Sequence, residues 1–401
     1  MLNLDFKVVK FILVFNIVTL YPGLALGQKN DVWIRYHDKA KDLYGYKDLK
    51  GEIKIPAKFS NFFTQADSFY NIISVKEETL HDYKTYYLLK NGKKVGLDSL
   101  YILDYAVDCE SEGKIRFQNR ENDRIGFLDK NGKAVIPAIY NYATPFYNGL
   151  SVALKNAKRA CWDEKEDTLN CEHLGWKGGI QVLINDKNEI LADSLHDLSD
   201  NINWYSLKTN QADLDTSIWF TIKGKNGNTY SFIDYQKEFR HWFETKFLSA
   251  LKSSNLENLK RLFFSGLQIE SEKLGTSNPR QKNFNTFVRK IVTPERFQAN
   301  AVKEIHIMNV DLMFMNSEKP IYKKYFDACG RHQKEKFPTF LITIDYYRKR
   351  KEPLILKSFP QVDANWKPSE FDINFELDYQ ERFEFLRTSN GYKLVDVEVK
   401  N

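Results

Sequence analysis

The stretch RIGFLDKNGKAVIPAIYNYATPFYNGLSVAL, residues 124–154, decides the fold of the first half of this chain. Residues 126–129 and 134–136 are short apolar runs on either side of Lys130-Asn131-Gly132-Lys133. Asn and Gly tolerate the positive φ that tight hairpin turns require, so this pattern predicts a β-hairpin. Pro137 ends the second strand because proline cannot donate to the ladder. After Gly149, residues 150–154 predict one further strand.

Related stretches recur at a nearly constant spacing. GYKDLKGEIKIPAKFSNFF begins at Gly45, and a more divergent copy, YYLLKNGKKVGL, begins at Tyr86. The turn glycines lie at positions 51, 92 and 132, which are 41 and then 40 residues apart. A fourth copy is predicted at 174–191, with Glu189 in the turn position. Such a period predicts stacked units, each too small to bury its own apolar face.

These residues resemble the WG repeat that is found in many bacterial envelope proteins. The resemblance extends from residue 44 to residue 193 and is clearest in the third copy. The Trp-Gly pair of the family is replaced by Tyr44-Gly45, Ile125-Gly126 and Leu174-Gly175. The resemblance implies an all-β repeat array. It implies no catalytic residue, because the family has none that is known.

The first 27 residues have the pattern of a secretory signal. Lys7 and Lys10 precede an apolar run at 11–20, and Ala25-Leu26-Gly27 fits a small-residue cleavage rule. The run is too short to span a bilayer as a helix. We therefore expect an exported protein, periplasmic or at the cell surface, whose mature chain has no transmembrane segment. An uncleaved N-terminal anchor is the alternative.

The four cysteines are interpreted for an oxidising compartment. Cys161 and Cys171 border a charged excursion before the fourth copy, and we predict that they form a disulfide. Cys109 and Cys329 either pair with each other or remain buried thiols, and we expect thiols. The formal net charge of +6 over 401 residues is mild and does not indicate a nucleic-acid partner.

The period changes from two to 3.6 at Asp234, a candidate helix N-cap, so we predict a two-domain α+β protein. The apolar stripe Phe239, Trp242, Phe243 and Phe247 predicts the first helix, and Ser254 with Glu257 has capping-box spacing for a second. The predicted organisation follows the chain: a signal at 1–27, a lead-in at 28–43, a repeat domain at 44–193, a connection with a capping hairpin at 194–233, and an α+β domain at 234–401.

Alternating apolar residues predict antiparallel strands at 304–314, 337–347, 371–379, 383–387 and 392–399. A looser helix is predicted at 283–291. Helices followed by a curved antiparallel sheet resemble the cone-shaped family that includes nuclear transport factor 2 and steroid isomerase-like proteins. The resemblance implies a pocket between sheet and helices, although many members only bind or dimerise.

Aromatic residues of the clearest repeat are the candidates for ligand contact. Exposed Tyr and Phe on a stacked β surface suit a protein or glycan partner, and core packing is the competing interpretation. His306 is a further candidate, because it lies on an otherwise apolar strand face. It is either a contact in a C-terminal pocket or a hydrogen-bonded histidine of the core or rim. The candidate binding residues are Tyr140, Tyr142, Phe146, Tyr147 and His306.

Other chemistry has weaker support. The thiol in Cys329-Gly330-Arg331-His332 lacks an orienting acid, and the basic run 346–351 ends at once in Glu352-Pro353. Asp48, Asp129 and Asp186 recur beside the turns, where capping of the turn is a simpler role than calcium binding. We expect no cofactor and no metal. The sequence favours an exported, non-catalytic binding protein. A ligand-binding protein or enzyme with a C-terminal pocket, or a structural envelope component, are the alternatives.

Overall fold

The computed structural model of the protein describes residues 31–61, 63–78, 82–103, 105–161, 171, 174–195, 201–253, 255–311, 320–352 and 369–400. The chain is mostly β, with many small sheets before residue 234 and one larger sheet that carries helices after it. We refer to 31–234 as the repeat part and to 235–400 as the C-terminal part. The predicted export signal and Ser254 lie outside the described residues.

Short antiparallel strands make up the repeat part. The strands are β1 (Trp33–Asp38), β2 (Leu43–Lys47), β3 (Ile53–Phe59), β4 (Ser68–Phe69), β5 (Ile72–Glu78), β6 (Tyr83–Leu89), β7 (Lys94–Val95), β8 (Ile102–Leu103), β9 (Ala106–Val107), β10 (Lys114–Asn119), β11 (Arg124–Asp129), β12 (Ala134–Tyr140), β13 (Tyr142–Ala143), β14 (Leu150–Lys155), β15 (Lys158–Cys161), β16 (Leu174–Lys177), β17 (Ile180–Asn185), β18 (Ile190–Asp193), β19 (Ile202–Thr209), β20 (Trp219–Lys223) and β21 (Thr229–Asp234).

Five three-stranded units recur along this part. In each unit one strand pairs with the hairpin that follows it: β1-β2-β3, β5-β6-β7, β10-β11-β12, β14-β17-β18 and β19-β21-β20. The last unit reverses the order of its hairpin strands, and its central strand β21 runs directly into the first helix of the C-terminal part. The predicted capping hairpin is therefore the hairpin of a fifth unit.

The predicted turns are confirmed. Gly51, Gly92 and Gly132 have φ values of +90°, +83° and +73°, which a residue with a Cβ rarely adopts. Asp48 accepts hydrogen bonds from the backbone N–H groups of Lys50 and Glu52, both at 2.9 Å. Asp129 repeats this arrangement in the third hairpin. The aspartates therefore cap the turns, as predicted.

The prediction for the fourth copy is wrong in detail. The turn there runs from Asn185 to Glu189, and Asn185 rather than Asp186 accepts from the backbone N–H groups. Asn188, with φ of +65°, takes the place assigned to Glu189. Leu174-Gly175 lies in β16, which pairs with β15 as a separate hairpin. Val182 occupies the position that corresponds to Gly126 of the third copy, so the fourth copy has no glycine there. The sequence pattern therefore pointed to Gly175, which lies in the separate hairpin.

A bulge explains the glycine before each of the two clearest turns. Ile125 pairs with Tyr140 and Phe127 pairs with Ile136, so β12 has extra residues opposite Gly126. A Cβ at Gly126 would lie 2.5 Å from the carbonyl oxygen of Ile136. Gly45 meets the backbone of the first unit in the same way, so both positions need glycine for a close backbone approach.

Helices lie on one face of a six-stranded sheet in the C-terminal part. The helices are α1 (Tyr235–Trp242), α2 (Leu248–Lys252), α3 (Leu256–Lys260), α4 (Phe284–Ile291) and α5 (Glu370–Asn374). The strands are β22 (Phe263–Ser271), β23 (Gly275–Ser277), β24 (Lys303–Val310), β25 (Thr339–Lys349), β26 (Phe375–Thr388) and β27 (Gly391–Val399). The sheet order is β23-β22-β27-β26-β25-β24, in which only β22 and β27 are parallel.

The predicted helix stripe is confirmed. Asp234 caps α1 by accepting from the N–H groups of Gln236 and Lys237. A π-helical turn at Phe243–Phe247 joins α1 to α2, and Phe239 and Phe247 are fully buried against the sheet. Asn255 caps α3. The start of the predicted strand at 371 is wrong, because Ser369 forms a capping box with Asp372 and the segment folds as α5.

Candidate functional site

The floor of the candidate site is a buried ion pair in the repeat part. Asp108 accepts from the Nε of Arg116 at 3.0 Å and from its Nη2 at 2.6 Å, and both side chains are almost fully buried. Arg116 also donates to the carbonyl of Ala143 at 2.7 Å and lies over the ring of Tyr101. Burial alone would lower the pKa of Arg116, but the neighbouring Asp108 holds it above its ordinary value. The floor is therefore charged and fixed in position.

Two glutamates next to this pair fix two related turns. Glu110 accepts from the backbone N–H of Asn71 at 2.9 Å and from its side-chain amide at 2.5 Å. Glu112 accepts from the N–H groups of Asn148 and Gly149 at 2.6 and 2.8 Å. Between them, Ser111 donates to the carbonyl of Phe146 at 2.7 Å. Charge-assisted bonds of this kind are stronger than neutral ones and fix the turns in place.

The turns themselves repeat a motif. Phe69-Tyr70-Asn71 in the first unit recurs as Phe146-Tyr147-Asn148 in the third. In both copies the Phe is buried and the Asn binds a glutamate, while the Tyr side chain lines the candidate site. Sequence reasoning missed Tyr70, Glu110 and Glu112. The signal that could have found them is this tripeptide at a spacing of two repeats.

A loop of the C-terminal part, residues 320–338, forms the opposite wall, and we call it the wall loop. Its turn at Asp327–Arg331 has the same hydrogen bonds as the repeat turn at Asp129–Lys133. Asp327 accepts from the N–H groups of Cys329 and Arg331 at 2.8 and 2.9 Å, and Gly330 has φ of +70°. A repeat-type turn is thus carried outside the repeat part.

Two links hold the wall loop on the repeat part. Cys329 is joined to Cys109 in a disulfide, with a Cα–Cα distance of 6.3 Å. The backbone N–H of Ser68 donates to the carbonyl of Ala328 at 2.9 Å. The preference for two buried thiols is therefore wrong, because folding brings two distant segments together. The structure also leaves Cys329 no free thiol, and His332 bonds the carbonyl of Phe337 instead.

A groove of about 860 Å³ lies between the wall loop and the repeat part. Tyrosines and charged side chains from both parts line it. The aromatic residues are Tyr70, Tyr142, Tyr147, Tyr205 and Phe326. The charged residues are Glu110, Glu112, Arg116, Asp311, Asp327, Arg331, Lys334, Glu335 and Lys336.

Glu335 is a mostly buried acid of the groove. Burial raises the pKa of its carboxyl, which lies against the hydroxyl of Tyr147. Burial, together with the charge of Glu335, also raises the pKa of Tyr147. Tyr205 lies across the groove, and its hydroxyl is 3.4 Å from the carboxylate of Glu112. When it is protonated, such a carboxyl can both donate and accept hydrogen bonds.

The predicted repeat residues divide into two pairs. Tyr140 and Phe146 are each 1% exposed and belong to one core cluster, so their prediction as contact residues is wrong. Both point inward because each follows a bulge or turn that directs it between two sheets. Tyr142 and Tyr147 are half-buried and line the groove.

His306 does not face a pocket. It lies on β24, where Ile305 and Ile307 pack against the core and His306 faces the other way. Its side chain is 47% exposed and 3.6 Å from the carboxylate of Asp345. The prediction chose the wrong face, because the alternation holds for either face of an edge strand and Leu312 and Phe314 lie outside the described residues.

The interior of the C-terminal part is filled by side chains. Phe239 stacks on Phe340 at 4.5 Å, and Phe247 meets Phe385 edge-on at 5.0 Å. A cavity of about 240 Å³ remains between α2, α3 and α4, lined mostly by aliphatic residues. The implied pocket between sheet and helices is therefore small in the described residues.

The remaining predicted features take structural roles. Cys161 and Cys171 are joined in a disulfide with a Cα–Cα distance of 5.7 Å. The basic run is ion-paired, since Arg348 and Arg350 both contact Glu376. Among the described residues, no cluster of three or more His, Cys, Asp or Glu side chains could hold a metal.

Comparison with known families supports the repeat interpretation. The family model of the WG containing repeat matches residues 44–71 and 125–158. The chain contains WG repeats. The two matches cover the first and third hairpins, and each includes its Phe-Tyr-Asn tripeptide.

Other comparisons add little. A crystal structure of the Kfla4162 protein from Kribbella flavida is similar over 41% of this chain and 88% of that one, with 13% identity and a TM-score of 0.20. A score this low carries no argument about fold or function. No curated protein matches the sequence. In the described part of the chain no helix has the length and apolar character needed to cross a membrane.

Proposed function

We propose that this protein is an exported binding protein, without catalysis of its own, that holds a neutral glycan in the groove between its WG repeats and the wall loop. The observation that carries the proposal is the groove itself. Tyrosines from two equivalent repeat turns line it beside fixed hydrogen-bonding groups. This differs from recognition by the outer repeat surface, which the burial of Tyr140 and Phe146 does not favour.

The tyrosines suit the apolar faces of sugar rings. Tyr70 and Tyr205 are each 42% exposed, and both line the groove. A tyrosine offers a flat apolar surface and a polar tip at low cost in conformational entropy. The carboxyl of Glu335 and the amide of Gln333 are polar groups at the same groove, where they would meet hydroxyl groups.

The charges of the groove argue for a neutral ligand. Five acidic and four basic side chains line it, so neither sign dominates. Glu110 and Glu112 already accept backbone N–H groups, and Arg116 is paired with Asp108. A polyanion such as nucleic acid needs a surplus of Lys and Arg, which this groove does not have.

Export is supported by the two disulfides. Structural disulfides persist in oxidising compartments and are rare in the cytosol. The Cys161–Cys171 bond lies within the repeat part, and the Cys109–Cys329 bond joins the repeat part to the wall loop. The signal-like pattern at residues 1–27 fits the same proposal.

We also infer a likeness of the C-terminal part to the cone-shaped family of nuclear transport factor 2. Its support is the sheet order, in which β22 and β27 are parallel, and the position of α4 between β23 and β24 in the chain. The alternative of a ligand pocket or an enzyme active site in this part has less support, because aromatic rings fill the space between sheet and helices.

An oligosaccharide array tests the function on the full chain, since a fragment ending near residue 233 would divide the groove. The array carries neutral oligosaccharides, with acidic oligosaccharides and unstructured peptides as comparators. We expect the native protein to bind neutral oligosaccharides. Tyr147→Ala should weaken that binding by roughly tenfold or more, as expected for loss of a stacked aromatic contact.

Tyr83→Ala is the matched control. Tyr83 is 50% exposed at the start of β6, and it does not line the groove. Its loss should leave oligosaccharide binding unchanged. If the native protein binds only the peptides, its partner is a protein rather than a glycan. Oligosaccharide binding that survives Tyr147→Ala and Tyr70→Ala would mean that the groove is not the site.

A further inference from the structure

The wall loop rests on the outer face of the C-terminal sheet, opposite the helices. Tyr322 and Tyr325 are buried there with Leu386 of β26 and Val395 of β27. Tyr325 is 1% exposed and meets Phe337 edge-on at 5.1 Å. The groove wall, which begins at Phe326, therefore continues directly from a segment that is packed on the sheet.

Two carboxyl groups lie under this segment. Glu384 of β26 and Asp396 of β27 are direct cross-strand partners beside a bulge. Side chains at such positions lie roughly 5 Å apart at their Cβ atoms. Glu384 is 4% exposed, and its Oε1 has no hydrogen-bond partner among the described residues. A buried, unpartnered carboxylate oxygen is costly, and a proton removes most of that cost.

The charged groups around the pair do not neutralise it. Arg382, on the same strand, lowers the pKa of both acids by its charge and is 4.0 Å from Glu398 of β27. Glu270 of β22 adds a further negative charge. The wall loop contributes the hydroxyl of Tyr322, and β25 contributes the apolar Leu341 opposite Glu384. Among the described residues, the acids Glu270 and Glu398 therefore outnumber Arg382, the cation that acts on the pair.

We propose that the Glu384–Asp396 pair is a proton-operated latch for the wall loop: protonation keeps the loop closed on the sheet, and loss of the proton releases it and widens the groove. The effect of this latch on ligand binding rests on the proposed function. The movement of the loop is a property of the chain alone.

The direction of the effect follows from the environment of each acid. Burial, with Asp396 next, raises the pKa of Glu384 to about 7. Burial, with Glu270 and Glu398 next, raises the pKa of Asp396 to about 6. The closed loop thus binds protons more tightly than an open one. Closure is fully favoured below the ordinary range of carboxyl pKa values and weakens as pH rises through about 6 to 7.

Reduction of the Cys109–Cys329 disulfide reports the loop position. Cys109 is 6% exposed and Cys329 is half-buried, so movement of the wall loop away from the repeat part would expose the bond further to a reductant. The experiment uses the full native chain and a phosphine reductant between about pH 5.5 and about pH 8. The rate is divided by that of the Cys161–Cys171 bond in the same sample. We expect this ratio to rise about tenfold, because one pKa unit of difference corresponds to a factor of ten.

Glu384→Gln removes the titrating group while preserving its shape, and its ratio should stay flat across the same pH range. Asp396→Asn is a second variant with the same expectation. Glu244→Gln, an exposed acid on the π-helical turn, should retain the native rise. A flat ratio in the native protein would overturn the latch, and so would an equal rise in Glu384→Gln.

Oligosaccharide binding measured at both ends of this range separates the two proposals. A rising reduction ratio without any bound oligosaccharide leaves the latch standing and removes the glycan function. Tight binding with a flat ratio does the reverse.

Discussion

Cys109 and Cys329 are bonded to each other although 220 positions separate them in the chain. The bond joins the second repeat unit to the wall loop of the C-terminal part. Cys329 occupies a turn whose hydrogen bonds match those of the repeats, with Asp327 in the capping position. The two parts of the protein thus share one covalent link and one wall of the candidate site.

Removal of this bond should cost more than removal of the other disulfide. Closing a long loop restricts the unfolded chain more than closing a short one, so we expect Cys109→Ser with Cys329→Ser to lose about 4 kcal/mol of unfolding free energy. The Cys161–Cys171 bond closes a loop of only ten positions, so Cys161→Ser with Cys171→Ser should lose about 2–3 kcal/mol. Urea unfolding without reductant measures both, and a larger loss for the short loop would contradict the expectation.

The buried Asp108–Arg116 pair predicts that a conservative substitution lowers the free energy of unfolding strongly. Asp108→Asn leaves the guanidinium of Arg116 buried without a counter-charge, and we expect a loss of about 3 kcal/mol in unfolding free energy. Asp123→Asn is the control, since the Asp123–Arg159 pair is part-exposed and should be worth at most about 1 kcal/mol. Equal losses from the two changes would show that the buried pair has no special role.

The close approach at Gly126 predicts a steric effect. Gly126→Ala places a methyl group against the backbone of Ile136 and Ala138, and the third hairpin must open to accept it. We expect a loss of about 3 kcal/mol, as for other overpacked positions. Gly113→Ala is the comparison: its φ of +72° costs about 1 kcal/mol, and its surroundings are open. Thermal unfolding should rank the two variants in that order.

Glu77 predicts an acid-sensitive contact between the first two units. Burial would raise its pKa, but hydrogen bonds from Lys94 and Tyr86 and the charge of Lys58 outweigh this and lower it to about 2. A lowered carboxyl pKa adds stability above the ordinary value of the group, and this stability is lost as pH falls towards 2.

Glu77→Gln should therefore cost about 1 kcal/mol near neutral pH, since the side chain is partly exposed and its ion pairs are screened. The difference from the native protein should shrink as pH falls towards about 2 and vanish below it, where the native carboxyl is protonated. Glu78→Gln, an exposed neighbour, should have no such pH dependence. A constant difference at all pH values would mean that the carboxylate charge is irrelevant.

Several elements could be predicted from the sequence because they depend on local chemistry. Positive φ at Gly51 and Gly132 and capping by Asp48 and Asp129 follow from the turn residues alone. The helix stripe from Phe239 to Phe247 follows from a period of 3.6. The fourth copy was misplaced because Asn188 adopts the positive φ in place of a glycine, and the ladder at Val182 stays in register and has no bulge that requires one.

The candidate site could be predicted only in part. Tyr142 and Tyr147 were named, but their neighbours Tyr140 and Phe146 point into the core and His306 lies on the outer face of an edge strand. Alternation along a strand gives two faces, and only the packing of neighbouring elements decides which one is buried.

The sequence by itself determined the repeat, its turns and the helical segment, because each depends on φ, on capping or on periodicity within a few residues. Tertiary structure alone decided that the wall loop meets the second unit and that Glu110 reaches Asn71 and Glu112 reaches Asn148. It also decided that Cys109 bonds Cys329. These contacts join residues from tens to hundreds of positions apart, and no local pattern specifies which distant surfaces will pack together.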